Sequence, residues 1–346
     1  MGLESVSNAP IGTSGSISAA LIRRASAPLL ALFYPFTLIA FHAGLDVAKG
    51  NTAVGVSLAL VSLTAAFAMP LLALIAAMRL GAIGGDRRAY AIALLAVAAP
   101  AAYTFLGVVL YMLHGPVAET ALWVVAWGLL AIAAVWPAHN QQAMARLPAW
   151  LRATHGGLAL VAVLTFLAFH IFNHLFGLAG SEAHAAVMKF GRHWYRDHLV
   201  EPVLVAVMLL LVATGLILLW RRTAGRADLF EVLQAASGTY LLFFVPGHMN
   251  SVFIFARSWL GIETDWAFAT GAPTGLIADA WNIRLVPHYG LGVAFLLAHL
   301  AGGARIVLLS HGASPQLVRR LVIAASAGAV IVAGAILLGM CGVRVV

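Results

Sequence analysis

Apolar residues run along this chain in long blocks separated by short polar stretches. Runs of membrane-spanning length cover roughly 26–45, 52–78, 89–113, 118–136, 153–177, 200–220, 230–255, 286–304 and 318–340. Each is long enough to cross a hydrocarbon core of about 30 Å as a helix. Charged residues fall almost wholly between the runs, as expected when charge in lipid costs kilocalories. The pattern predicts an all-α integral membrane protein with about nine transmembrane helices.

Composition agrees: 62% of the 346 residues are hydrophobic and only 9% are charged. No soluble domain of this size has that balance. Residues 1–21 read as a polar, Ser/Gly-rich tail. Arg23 and Arg24 then precede an apolar run without a small-residue cleavage site, so no secretory signal is expected here. A net charge of +8 does not imply nucleic acid, because the basic residues are spread over loops, where they set topology. With the N-terminus in the cytoplasm, Lys49, Lys189, Arg192, Arg196, Arg257, Arg284 and Arg344 lie outside and the other thirteen basic residues inside. That bias predicts a cytoplasmic N-terminus and an outer C-terminus. The connections 178–199 and 257–285 hold five of the seven outer basic residues and are expected to form ordered caps. The expected location is a bacterial cytoplasmic membrane.

Residues 24–42 read RASAPLLALFYPFTLIAFH, and residues 152–170 read RATHGGLALVAVLTFLAFH. Leu and Ala matches come cheaply in membrane helices. The weight falls on Arg24/Arg152, Thr37/Thr165, Phe41/Phe169 and His42/His170. An offset of four helices preserves orientation. The repeat predicts two tandem four-helix units, 22–148 and 149–312, followed by a final helix in 313–346.

The histidines carry the candidate chemistry. His42, His114, His170 and His248 all fall in the outer parts of odd-numbered runs, which cross in the same direction. An intramembrane histidine is costly without a partner. Two neutral imidazoles from facing helices can fill both axial positions of a haem iron. His170 with His248 fits this in the second unit, and His42 with His114 in the first. His174, one turn beyond His170, is an alternative ligand or a propionate partner. The competing reading is that these histidines only hydrogen-bond helix to helix. Gly247, Ser237 and Gly238 near His248, Gly44 near His42 and Gly107 near His114 are small enough to admit a flat ring. Arg192, Arg196 and Arg257 in the outer caps are candidates to pair with haem propionates. His155 and His139 read as interfacial. The single Cys341 excludes internal disulfides and a covalent c-type haem.

Five further motifs occur in order over residues 151–320: RATHGGL, FHIFNHL, SEAHAAVMKFGRHWYRDHLVEP, LQAASGTYLLFFVPGH and LVPHYGLGVAFLLAHLAGGAR. Together they resemble the cytochrome b membrane anchor of succinate:quinone oxidoreductases and fumarate reductases, of the single-subunit, di-haem type. The resemblance implies that His170 and His248 bind a distal haem and that His299 is one ligand of a proximal haem. The partner of His299 would fall at Leu211, which cannot coordinate iron, so the proximal haem is expected to be missing. A nine-span tandem form also departs from that family's usual five spans.

The leading expectation is a b-type cytochrome, holding one or two haems b near the outer face. It would carry electrons between quinone and a redox partner as a subunit of an oxidoreductase complex. Bis-histidine iron has no open site, which favours electron transfer over oxygen chemistry. The partner is an extracytoplasmic redox protein or, in the alternative of a true succinate dehydrogenase or fumarate reductase anchor, cytoplasmic iron–sulfur and flavoprotein subunits. In that anchor reading Arg152, His155 and His299 are candidates for a quinone pocket. A third reading is a transporter or structural subunit. Against transport, Asp46, Glu119, Asp228 and Glu231 all fall at the ends of runs, leaving no buried carboxylate relay. Trp194, Tyr195, Trp259 and Trp266 read as an interfacial aromatic belt. The chain has no flavin or nicotinamide fingerprint and no iron–sulfur cysteines.

Overall fold

The structure is a computed structural model, which describes residues 13–114, 118–136, 148–222 and 225–345. The described residues are helical throughout, with no strand among them. In chain order the helices are α1 (Thr13–Ala48), α2 (Thr52–Ile83), α3 (Arg87–Val97), α4 (Ala99–Met112) and α5 (Glu119–Val135). Then come α6 (Ala149–Ala162), α7 (Ala168–Leu175), α8 (Ser181–Tyr195), α9 (Val200–Arg222) and α10 (Leu229–Met249). The short α11 (Trp266–Ala269) and α12 (Gly275–Ala278) precede α13 (Leu285–Ser310) and α14 (Pro315–Met340). A π-helical turn at Val163–Leu167 joins α6 to α7, and a π-helical segment at Asn250–Leu260 extends α10.

Seven helices are long and apolar enough to cross a membrane, and an eighth is counted if α3 and α4 together make one span. This falls short of nine straight spans for two reasons. The apolar run 118–136 forms α5, of only 17 residues. The run 89–113 is broken, with α3 and α4 inclined at 69°. Pro100 lies in the first turn of α4 and has no N–H to continue the ladder of α3, so the chain turns there.

The first half is close-packed through small residues. Gly55, Ala59, Ser62, Ala66, Ala73 and Ala77 of α2 are buried, a spacing of three and four that makes one face. That face lies against α1. A Cβ on Gly55 would sit 2.1 Å from the backbone nitrogen of Ala48, so the helices meet backbone to backbone. In lipid such close van der Waals packing replaces the hydrophobic drive. Trp123 Nε1 donates to the Ala31 carbonyl at 2.8 Å and holds α5 on α1.

The second half is looser. Here α6 packs on α9, α9 on α10, and α10 on α13. Whereas α1 packs on α2, α3 and α5, α6 has no extensive contact with α10 or α13. The halves meet where α10 packs on α3 and α4. Arg284, at the start of α13, forms an ion pair with Glu119 of α5. Its guanidinium lies over the rings of Tyr103 and Trp281, at 4.8 and 4.6 Å. Near the other end of the bundle, Arg24 pairs with Asp86 at 2.7 Å.

Candidate functional site

The gap between α6–α7 and the α10/α13 pair is a cavity of ≈ 420 Å³, within the range of small-molecule and cofactor pockets. Its walls are mainly apolar, including Val163, Leu167, Ile171, Met208, Leu211, Leu241, Val245 and Val293. Five histidines open onto it: His155, His170, His174, His248 and His299.

The rings of His170 and His248 face each other with centres 6.0 Å apart. A metal–imidazole nitrogen bond is about 2 Å, and a ring centre lies about 1 Å behind its nitrogen, so trans imidazoles on one metal have centres about 6 Å apart. The pair therefore stands at a spacing that would let both rings hold one iron. Among the described residues, no hydrogen bond reaches either ring. An imidazole in an apolar wall without a partner is costly, and iron coordination would remove that cost.

The local chain explains how these rings are aimed. The π turn ends three residues before His170, and the second π segment begins two residues after His248. Such bulges re-aim the side chains that follow or precede them and recur at functional sites. Each ring also has a phenylalanine one turn earlier. Phe166 stacks on His170 at 4.9 Å and 25°, and Phe244 on His248 at 5.9 Å and 9°. The spacing F-x-x-x-H is visible in the sequence at both places. It is the signal that sequence reasoning passed over.

Beyond this pair a polar cluster leads toward the α8 cap. The His174 ring is 4.7 Å from His170 and 5.4 Å from His184, whose ring lies 4.4 Å from Trp266. Asn173 Nδ2 meets His184 Nε2 at 3.1 Å. Nδ1 of His174, Nδ1 of His184 and Oδ1 of Asn173 are buried without a hydrogen-bond partner. Burial, with the nearby Arg192 guanidinium adding to it, pushes the His184 imidazole down to about 4. His184 is thus a buried ring of α8, neutral at pH 7. His288, in the first turn of α13, is also buried, in contact with Phe244 at 4.8 Å.

Other expected site residues lie elsewhere. His42 Nε2 contacts the Asp279 carbonyl at 3.1 Å. His114 is exposed, in a left-handed backbone conformation, with its ring 5.8 Å from Trp259. Among the described residues no ring contact joins His42 to His114, and neither lines the cavity. Arg192 binds Glu263 and the Thr264 carbonyl, Arg196 binds the Thr264 hydroxyl, and Arg257 makes a two-pronged ion pair with Glu201. These three arginines brace the caps and do not reach the cavity. Three of the small residues serve packing: a Cβ on Gly44 would meet Ala59, on Gly107 the Arg284 guanidinium, and on Gly247 the ring of Phe105. Gly238 does line the cavity. His139 lies outside the described residues.

A second cavity of ≈ 660 Å³ lies among the caps, lined by Tyr111, Phe255, Phe268, Trp281 and the carboxylate residues Glu263, Asp265 and Asp279. Tyr289 borders both cavities. Among the described residues no group of three or more His, Cys, Asp or Glu could hold a bare metal ion. A haem iron takes only two protein ligands, so this result leaves the histidine pair available. No family model, curated protein or solved structure matches the chain.

Proposed function

We propose that the protein is a b-type haem cytochrome that carries electrons within the membrane. The observation that carries this reading is the His170–His248 pair, 6.0 Å apart across an apolar cavity and without hydrogen-bond partners. These two residues would hold the iron. When bound, haem b would supply a one-electron couple, with His170 and His248 as the residues that would hold its iron.

The chain's own part is to bind, orient and insulate. Phe166 and Phe244 fix the planes of the two rings. The apolar walls exclude water and set a low dielectric, one of the levers on haem potential. His174 and Asn173, with buried unpartnered nitrogen and oxygen, are placed to receive the polar edge of the macrocycle. They take the role that sequence reasoning gave to Arg192, Arg196 and Arg257.

The distribution of basic residues supports a cytoplasmic N-terminus and, with it, a position of this pair toward the outer face of a bacterial cytoplasmic membrane. The resemblance of residues 151–320 to the succinate:quinone oxidoreductase cytochrome b anchor supports quinone as one redox partner. The aromatic cavity among the caps, which shares Tyr289 with the histidine cavity, suits a quinone ring. The other partner is then a redox protein docking on the outer caps.

The test is the reduced-minus-oxidised spectrum of the detergent-purified protein, expressed with ample haem. A b-type α-band, abolished or diminished by one haem in His170→Ala but retained in His174→Ala, supports the assignment. An unchanged spectrum in both His170→Ala and His248→Ala refutes it. Absence of any haem leaves the histidines as helix-bonding groups.

A further inference from the structure

At the end of the bundle opposite the caps, arginines tie together the ends of helices from both halves. Arg87 and Arg88 stand in the first turn of α3. Arg87 reaches into the second half. Its Nη2 donates to the Trp220 carbonyl of α9 at 2.7 Å, and its guanidinium lies 4.3 Å over the Trp220 ring. Arg88 turns the other way and donates to the Trp136 carbonyl at the end of α5. α5 and α9 make no extensive contact with each other, so the start of α3 bridges their ends. Arg226, just before α10, donates to the Ile83 carbonyl at the end of α2 at 3.2 Å. It lies against Gly84, where a Cβ would meet its Cγ at 2.8 Å. We infer that this arginine junction is a binding site for the phosphate headgroup of an anionic phospholipid. The inference does not depend on the haem reading.

The junction carries more positive charge than the chain neutralises. Among the described residues the carboxylates at this end are Asp86, Asp228 and Glu231, and each is engaged. Asp86 pairs with Arg24 at 2.7 Å and accepts from the Ala89 N–H. Asp228 and Glu231 form the capping box of α10, with Arg305 3.5 Å from Asp228. Arg88 and Arg226 donate to carbonyls, and among the described residues no carboxylate pairs with either. Arg88 Nε is buried without a hydrogen-bond partner. A carbonyl at a helix end carries only part of a negative charge, so much of each guanidinium's charge remains. For Arg88 the position adds to this. The first turn of a helix is its positive end, where a cation is disfavoured and an anion favoured. α3 has no acidic residue in that turn.

The level of the junction in the membrane identifies the source of the anion. Trp220 and Trp136, whose carbonyls Arg87 and Arg88 hold, are 61% and 63% exposed. Exposed tryptophans at the ends of spans sit among lipid headgroups. One to two turns inward, Leu129 and Ile132 of α5 and Leu216 and Ile217 of α9 are exposed and apolar, the surface an acyl chain covers. Basic pockets between transmembrane helices bind the headgroups of anionic lipids in this way. A phosphate diester has the oxygens to accept from the remaining N–H groups of Arg88 and Arg226. It would reinforce a seam that the chain closes with few bonds, among them the Ala227 N–H to the Gly81 carbonyl at 3.0 Å.

The experiment uses the purified full-length protein in detergent. Cardiolipin, phosphatidylglycerol or phosphatidylcholine is added, bound lipid is counted by native mass spectrometry, and melting temperature is followed. Wild type should retain anionic lipid and melt higher in its presence, and phosphatidylcholine should do neither. Arg88→Gln with Arg226→Gln keeps an amide donor for each carbonyl and removes both charges. At about fivefold per basic side chain, this variant should bind anionic lipid about thirtyfold more weakly. Arg319→Gln with Arg320→Gln removes two exposed charges of α14 at the same end of the bundle and should leave binding unchanged. If the junction variant does not fold, Arg226→Gln alone carries the test, with a loss of about fivefold expected. Equal binding in wild type and the junction variant overturns the inference. So does an equal loss in the α14 variant, the mark of a diffuse attraction to the basic face. Equal stabilisation by inorganic phosphate at the same concentration also overturns it, in favour of a free-anion site.

Discussion

Glu119→Leu should destabilise the protein by about 3 kcal/mol. Glu119 and Arg284 form an ion pair between the two halves, with side chains only 19% and 9% exposed. A guanidinium keeps its charge, so removing Glu119 leaves a full charge buried between Tyr103 and Trp281. Breaking a buried pair from one side costs about 3–5 kcal/mol. The residual exposure of Glu119 places the cost at the lower end. Removing both partners, as in Glu119→Leu with Arg284→Met, should recover most of the loss, because two apolar groups replace two charges. The assay uses the single cysteine. Cys341 is half-buried, and burial raises its thiol pKa, so the native protein reacts slowly with a maleimide dye and unfolding accelerates labelling. A loss below about 1 kcal/mol in the single variant, the range of an exposed surface pair, would refute the reasoning. So would a double variant less stable than either single one.

Other outcomes follow from the packing and the caps. Gly55→Val should cost about 3 kcal/mol or more in the same labelling assay, since its Cβ would meet the Ala48 backbone, whereas Gly128→Ala, with nothing within 4 Å, should be close to neutral. Asp228→Ala removes the capping box at the start of α10 and should lower stability by about 1 kcal/mol. His184 is held below its ordinary value of 6.5, so the unfolded chain binds its proton first. Its contribution to stability is complete above about pH 6.5 and falls away between about pH 6.5 and 4. Melting temperature in wild type should therefore drop over that window more steeply than in His184→Gln, and parallel curves would show that His184 does not contribute.

Much of this architecture was legible in the sequence, because lipid imposes a simple rule on length and polarity. Each apolar run from 26–45 to 318–340 became helix. The break at Pro100 was not legible, because prolines at 28, 35, 70 and 246 sit inside helices that continue. The pairing of His170 with His248 was legible from residue type and depth. The repeat suggested equal treatment of His42, but α1 is packed on three helices and its histidine is drawn to a backbone carbonyl of the 257–285 cap. Identical Ala-Phe-His ends thus meet different surroundings. His155 lies only a turn or two into its run, and depth alone gave it an interfacial place. What brings its ring within 6.4 Å of that of His299 is three-dimensional packing, with no periodic mark in the sequence. The three cap arginines, expected to pair with propionates, instead pair with Glu201, Glu263 and Thr264.

The most direct test of the central claim is electron paramagnetic resonance of the oxidised, purified protein. Two imidazoles on one iron predict a low-spin ferric signal, converted to high-spin or lost in His248→Ala. A wild type that is wholly high-spin, or that shows no ferric haem after expression with ample haem, would contradict the His170–His248 site.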